Sequence, residues 1–334
     1  MPDRSELVRD FMLESGGAPL YRLDDSARSA VLPPAAIAIG AFDGMHRGHA
    51  DLIARTVADA RERGVAAYAV TFDPDPDRVV APEPVPHLLA MEDRWRLLAA
   101  SGVDGIVVIL FTSELAQLDH AAFFERILLP HVPLVSVHVG SDFRLGAGGA
   151  STVDTMRAWL RPRGIAMYGH DLVCDEGSVV SATRIRRSLA QGDVAGAARE
   201  LGRRFAVRGT VEAGRHEGTD MGFPTANIKV PSGIQLPQDG VYAGLGLVGR
   251  TVWPAAINVG IPPMFADCAG AAMLEANLIG FTGQIYGEAC ALAFDRRLRA
   301  SQEFASRDEL IAAVLGNIDD VRQQFGESGV ELGL

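Results

Sequence analysis

Residues 37–57, IAIGAFDGMHRGHADLIARTV, constrain the fold more than any other stretch. Ile37, Ala38 and Ile39 form an apolar run with the length of a buried strand. The glycine-bearing turn that follows carries Gly40, Phe42, Asp43 and Gly44, then His46 and His49. Leu52, Ile53, Thr56 and Val57 recur at helical spacing, so the turn opens a helix. A strand, such a turn and a helix N-terminus make an anion site, because unpaired backbone N–H groups point outward there. Two imidazoles placed at that turn can donate to phosphate oxygens and stabilise charge that develops during phosphoryl or nucleotidyl transfer.

A lone histidine in a turn more often caps a helix or faces solvent. The pattern G-x-F-D-G-x-H-x-G-H behind a strand is more specific, and it resembles the signature of the HxGH nucleotidylyltransferases. Its Phe42-Asp43-Gly44 is similar to the bacterial FAD synthetase branch. Motif and substrate are separable, so this signature by itself does not set the activity.

The chain has 334 residues, enough for two domains with real cores. Its net charge of -11 argues against a broad nucleic-acid footprint, and small anionic ligands need local positive sites instead. Cys174, Cys268 and Cys290 are far apart and fit neither zinc spacing nor a disulfide framework. The first residues hold no apolar signal region, and no apolar run reaches membrane-spanning length. The expectation is a soluble cytoplasmic protein with small-molecule partners, no nucleic acid and no membrane; nothing in the sequence sets its oligomeric state.

Residues 1–35 begin with amphipathic Leu7, Val8, Phe11 and Met12 and are expected to pack on the first domain. Apolar runs at 65–72, 105–111 and 134–139 alternate with helical patterns at 91–101 and 121–129, and segments at 164–168 and 179–180 end the series. That alternation predicts an α/β domain with a doubly wound parallel sheet over residues 1–199. The loop after the second run reads Asp73-Pro74-Asp75-Pro76, and open α/β sheets place ligands beyond such strand ends. From residue 200 the pattern changes to short strands at 205–211, 240–247, 251–259, 273–279 and 289–294. Turn residues separate them, so residues 200–334 are expected to form a small antiparallel barrel closed by a helix near 307–325.

Ser181, Ala182, Thr183, Arg184 and Arg186 open another helix. Hydroxyls and arginines at a helix start suit a triphosphate, and an N-cap with a solvated basic face is an equally good local reading. In the barrel half, Gly222 to Asn227 reads G-F-P-T-A-N; Thr225 and Asn227 lie two apart in an extended segment and face one side. They supply hard oxygen donors of the kind Mg²⁺ takes, although a proline turn with its usual Thr and Asn has the same composition.

Residues 203–325 resemble riboflavin kinase throughout, through the glycine loop at 209–218, Gly240-Val241-Tyr242-Ala243, Asn258-Val259-Gly260, Leu274-Glu275 and Tyr286-Gly287. The two halves together are similar to the bifunctional bacterial riboflavin kinase/FAD synthetase. That resemblance implies two reactions, with Mg²⁺ as cofactor, ATP as co-substrate, and riboflavin, FMN and FAD as substrate or product. Glu275 takes the role of catalytic base in riboflavin phosphorylation, with Gly214, Gly218, Thr225 and Asn227 on the nucleotide and Thr225 and Asn227 on the metal. His46, His49 and Arg186 take catalytic roles in FMN adenylylation. Gly40, Phe42, Asp43, Gly44, Asp142 and Thr183 bind its nucleotide.

Several positions depart from the family pattern. Asp75 stands where P-H-P has histidine, an acid placed to repel a phosphate unless it holds a metal or reads another base. Ala147-Gly148-Gly149-Ala150 are neutral where basic residues are usual, and Ala182 replaces a serine. Thr219, Ile261, Met264, Asn277 and Gly280 also differ. Two further readings follow: a diverged paralogue acting on another nucleotide or flavin analogue, and a flavin- or nucleotide-binding protein with little turnover.

Overall fold

The computed structural model describes residues 1–14, 16–23, 31–213, 223–260 and 274–333. They form two compact units, Glu14–Pro86 with Met91–Val180, and Met1–Leu13 with His87–Ala90 and Ser181–Leu334.

The chain begins with α1 (Arg4–Asp10), which belongs to the second unit. The first unit is built on β1 (Leu20–Leu23), β2 (Ala35–Ile39), β3 (Ala66–Asp73), β4 (Gly105–Leu110), β5 (Leu134–Gly140) and β6 (Ala166–His170). All pairings are parallel, in the order β1-β4-β3-β2-β5-β6. Helices α2 (Arg47–Arg63), α3 (Pro76–Val80), α4 (Met91–Ala100), α5 (Ser113–Ala116), α6 (His120–Phe123) and α7 (Val153–Leu160) connect them. The predicted doubly wound sheet is present. β2 is buried at every position, as a central parallel strand covered on both faces must be. The chain runs from β2 outward through β3 and β4, and later resumes on the other side of β2 with β5. The sheet's reversal of order therefore falls between β2 and β5, and the crevice beyond such a reversal is where open α/β sheets bind ligands. Leu52, Ile53, Thr56 and Ala60 form the buried face of α2, and Gly64 ends the helix in the left-handed region at φ 66°.

The second unit contains a closed barrel of β9 (Phe205–Glu212), β10 (Ala226–Lys229), β11 (Gly240–Val248), β12 (Thr251–Val259), β13 (Leu274–Leu278) and β14 (Ala289–Ala300). The antiparallel ring β11-β14-β9-β10-β13-β12 closes through β11–β12 pairing, so the expected small barrel is also present. Its core holds Phe205, Val207, Tyr242, Ile257, Leu274, Leu292 and Phe294. Buried Cys290 sits in the same core, its thiol pushed up to about 12 by burial. Helix α8 (Ala182–Ala190) and helix α9 (Val194–Leu201) add Ile185, Leu189, Val194 and Ala197 to that core. The long helix α10 (Arg307–Phe325) packs on β11 and β12, and β15 (Val330–Glu331) pairs with β12.

Three sequence expectations change. Residues 1–13 pack in the barrel unit rather than on the first: Leu7 and Phe11 are buried, and Asp10 accepts hydrogen bonds from the backbone and side chain of Arg204 at 2.8 and 2.7 Å. The segment around residue 179 lies in a separate hairpin of β7 (Cys174–Asp175) and β8 (Ser178–Val179), not in the main sheet. Leu88, read as part of the first half, joins the barrel core, and its neighbour His87 bridges to Ile234. An amphipathic pattern gives the buried face of a segment but not the partner that covers it.

Candidate active sites

In the first unit the turn after β2 takes an unusual path. Phe42 sits at φ 54° and Met45 at φ 42°, with Gly44 between them at φ 77°. Two non-glycine residues in the left-handed region so close together cost energy that the surroundings must offset. The fully buried Phe42 ring does part of this by packing edge-on against His49, centroid to centroid 5.3 Å. His46 is extended and caps α2, its Nδ1 accepting from the His49 backbone N–H at 3.4 Å. The His46 and His49 rings stack at 3.7 Å. Gly48 leaves room beside the stack, since a Cβ there would lie 3.2 Å from the His46 ring, a tight contact.

His49 keeps some surface open, but its Nδ1 is buried and has no hydrogen-bond partner among the described residues. Burial first, then the neighbouring His46 and Arg94, hold its pKa well below the usual histidine value. A neutral imidazole remains, able to donate from one nitrogen to an incoming oxygen.

Behind the turn lies a residue that the sequence showed only as part of a helix. Arg94 of α4 is 1% exposed and forks onto both oxygens of Asp75, at 2.5 and 2.7 Å. The same guanidinium donates to the Ala41 carbonyl at 2.8 Å and lies 3.7 Å from Asp43. Asp75 is therefore a buried partner of Arg94. The expectation that it repels a phosphate from the open end of β3 is corrected: a bidentate guanidinium neutralises it. Nothing local in the sequence marks this pair, whose members stand on different helices.

Asp142 is exposed, two residues beyond the end of β5, and Gly140 is the point where its carboxylate folds back on the strand. Gly40 follows β2, with its N–H on the Val70 carbonyl. Gly40, Phe42, Asp43, Gly44, His46, His49 and Asp142 thus all follow the C-terminal ends of the adjacent strands β2 and β5. The residues at 147–149 form a single 3-10 turn.

Thr183 and Arg186 lie on α8, in the other compact unit. Ser181 caps that helix by accepting from the Arg184 N–H at 3.2 Å, a cap that both local readings of the segment share. Arg184 is turned onto the buried Glu200 at 2.9 Å. Thr183 is exposed and Arg186 half-buried.

On the barrel, strand register assembles what the sequence scattered. Asn227 of β10 and Asn258 of β12 are both direct partners of Glu275 on β13. Directly opposed residues have Cβ atoms about 4.5–5.5 Å apart, so the three side chains share one row. All three are half-buried and point away from the core, because their neighbours Leu274, Ala276, Ile228 and Ile257 point into it. Glu212 opposes Asn227 on the other side and is ion-paired with Lys229 at 2.7 Å, an acid that the sequence had not singled out. Thr225 immediately precedes β10, and Asn277 donates to the Pro224 carbonyl at 2.8 Å, fixing the approach to that strand. Gly214, Gly218, Thr219, Ile261 and Met264 lie outside the described residues.

Comparison with known proteins separates the same two halves. A family model described as FAD synthetase matches residues 29–184, and one described as riboflavin kinase matches residues 201–325. A bifunctional riboflavin kinase/FMN adenylyltransferase of Pseudomonas fluorescens is 33% identical over 85% of this chain and 91% of its own. The protein so described from Escherichia coli K12 is 32% identical over 87% of this chain and 92% of its own. This chain belongs to that family. A solved Streptococcus pneumoniae structure described as a macrolide-efflux protein also matches, with a TM-score of 0.81 at 26% identity, over 91% of this chain and 98% of that one. Among the described residues no helix is long and apolar enough to cross a membrane. Members of the family are enzymes of flavin biosynthesis that act on small molecules.

Proposed function

We propose that this chain phosphorylates riboflavin to FMN on its barrel and adenylylates FMN to FAD at the HxGH turn, working in the cytoplasm. The observation that carries the first activity is the Asn227–Glu275–Asn258 row. Among its members only Glu275 can accept a proton at neutral pH. The ribityl 5′-oxygen attacks the γ-phosphorus of ATP, its proton passes to Glu275, and the bond to the β-phosphate oxygen breaks to release ADP. The Thr225 hydroxyl and the Asn227 amide oxygen are hard donors that fit Mg²⁺, with substrate phosphates completing the set. When bound, the metal neutralises developing charge on the phosphates. Among the described residues no cluster of three or more His, Cys, Asp or Glu side chains could hold it instead.

For the second activity, an FMN phosphate oxygen attacks the α-phosphorus of another ATP and pyrophosphate leaves. This nucleophile carries no proton, so His46 and His49 act as hydrogen-bond donors to the crowded phosphorus centre rather than as bases. The backbone N–H groups that open α2 add to the same field. Gly40, Phe42, Asp43 and Gly44 shape the turn, and Asp142 binds the nucleotide.

The test is incubation of the pure protein with riboflavin, ATP and Mg²⁺, with separation of the flavin products over time. FMN followed by FAD is the expected course, with FAD the slower because the turn at Ala147–Gly149 lacks side-chain donors. A protein that binds flavin but yields neither product would favour the non-catalytic reading; product only with another nucleoside triphosphate would favour the diverged paralogue.

A further inference from the structure

We propose that Arg94 is the positioning residue of the nucleotidyl-transfer turn, locked in place by Asp75, and that it sets the rate of adenylyl transfer through the shape of residues 41–46. The inference rests on reading that turn as the adenylyl-transfer site.

Arg94 carries a full charge into a place where it is 1% exposed, opposite an Asp75 that is 3% exposed. Desolvation of such a pair costs several kcal/mol in general, and well-packed apolar residues of similar volume do as well or better for stability. A gain in stability alone is therefore a poor reason for the pair. Its geometry offers another. The guanidinium donates to the Ala41 carbonyl at 2.8 Å, and Thr71 Oγ donates to the same carbonyl at 3.3 Å. Ala41 is the residue immediately before Phe42, where the chain enters the left-handed path that ends at His46. Two donors on that carbonyl fix the orientation of the peptide from which the strained turn departs. The Arg94 guanidinium also lies 3.7 Å from the Asp43 carboxylate inside the turn.

Asp75 shows the same commitment. It occupies the N-cap position of α3, where an aspartate ordinarily accepts from its helix's own N–H groups, yet it makes no side-chain capping bond. Both its oxygens go to Arg94 instead. Arg94 touches no solvent-facing surface where a phosphate could reach it, so it acts through the turn and not on the substrate.

The experiment compares wild type with Arg94→Lys, Arg94→Met and Asp75→Asn in the full chain. It measures thermal unfolding, FMN adenylylation, riboflavin phosphorylation as an internal control, and amide hydrogen exchange at residues 42–46. Arg94→Lys keeps the charge but loses the fork. It is expected to stay folded and phosphorylate riboflavin within about twofold of wild type. Its kcat for adenylylation should fall at least about 10-fold, because small misplacements at a reacting centre cost rate, while the KM for ATP changes less. Exchange at residues 42–46 should quicken. A purely structural role would lower the melting temperature and leave the kcat of the folded variant unchanged; that result, or unchanged exchange in both folded Arg94 variants, overturns the proposal. If wild type does not adenylylate FMN at all, the reading of the site fails, and the exchange measurement alone still decides whether Arg94 holds the turn.

Discussion

Glu275 and Asp75 are both carboxylates in candidate sites, and their surroundings give them opposite work. Glu275 stands half-buried in strand register between two uncharged amides, Asn227 and Asn258, and it is the carboxylate of that row. Replacing it with glutamine keeps the shape and removes the base. FMN formation is expected to drop about 10²-fold or more, with flavin affinity little changed; wild-type turnover in that variant would exclude Glu275 from proton transfer. Asp75, by contrast, is committed to Arg94. Reading the sequence as a defective phosphate loop suggests that Asp75→His together with Ala182→Ser would improve FAD formation. The buried pair reverses that expectation, because Asp75→His strands a guanidinium without its counter-ion. A loss of about 3–5 kcal/mol in denaturant unfolding is expected, with no gain in adenylylation.

At the scale of elements, the stacked imidazoles pack closely over one missing side chain. Gly48→Ala would place a methyl group 3.2 Å from the His46 ring at the start of α2, so that ring has to give by a few tenths of an ångström against His49. Adenylylation is expected to fall about 10-fold while riboflavin phosphorylation stays at the wild-type rate. Equal loss of both reactions would point to unfolding rather than to the stack. Histidines also set the pH response of the parallel sheet. His138 of β5 is buried; its Nε2 donates to the Asp59 carboxylate of α2 at 3.1 Å, and its Nδ1 pairs with His170 Nε2 of β6 at 2.9 Å. Burial lowers the pKa of His138, against the pull of Asp59 in the other direction, and it also lowers that of His170 and His49. For each of them the unfolded chain binds the proton more readily than the folded one. Their contribution is therefore fully present above the model-peptide histidine value, about 6.5, and is lost as the pH falls from there through the lowered folded values. Melting of the first unit should thus shift downward as the pH falls below about 6.5, and a flat profile there would show that these rings are not held neutral.

For the whole molecule, the division of packing places α8 and α9 with the barrel. A fragment of residues 200–334, cut where the sequence pattern changes, loses Ile185, Leu189, Val194 and Ala197 from its core. Burial of one large aliphatic side chain is worth about 1.5–3 kcal/mol, and a domain's whole stability is only about 5–15 kcal/mol. A fragment of residues 181–334 is expected to melt cooperatively and well above the 200–334 fragment. Addition of α1, through Leu7, Phe11 and the Asp10–Arg204 pair, should raise it further. Equal melting of the two fragments would show that the helices contribute nothing to barrel stability.

The sequence by itself determined both architectures and the family, and it held the motifs of both candidate sites. Apolar runs alternating with helical patterns dictate a parallel sheet, short strands between turn residues dictate a barrel, and G-x-F-D-G-x-H-x-G-H is contiguous, so its turn could be read directly. Tertiary structure decided whatever depends on a partner distant along the chain. Which face covers Leu7 and Phe11 cannot be read from their own spacing. The row around Glu275 exists only because strand register sets Asn227 and Asn258 opposite it. The charge of Asp75 looked free in its own loop and is neutralised by a guanidinium on another helix. Local patterns record which surfaces a segment must bury. The electrostatics of a site depend on what the rest of the fold brings within about 4 Å of each charge, where the Coulomb energy is largest, and only the folded chain supplies that.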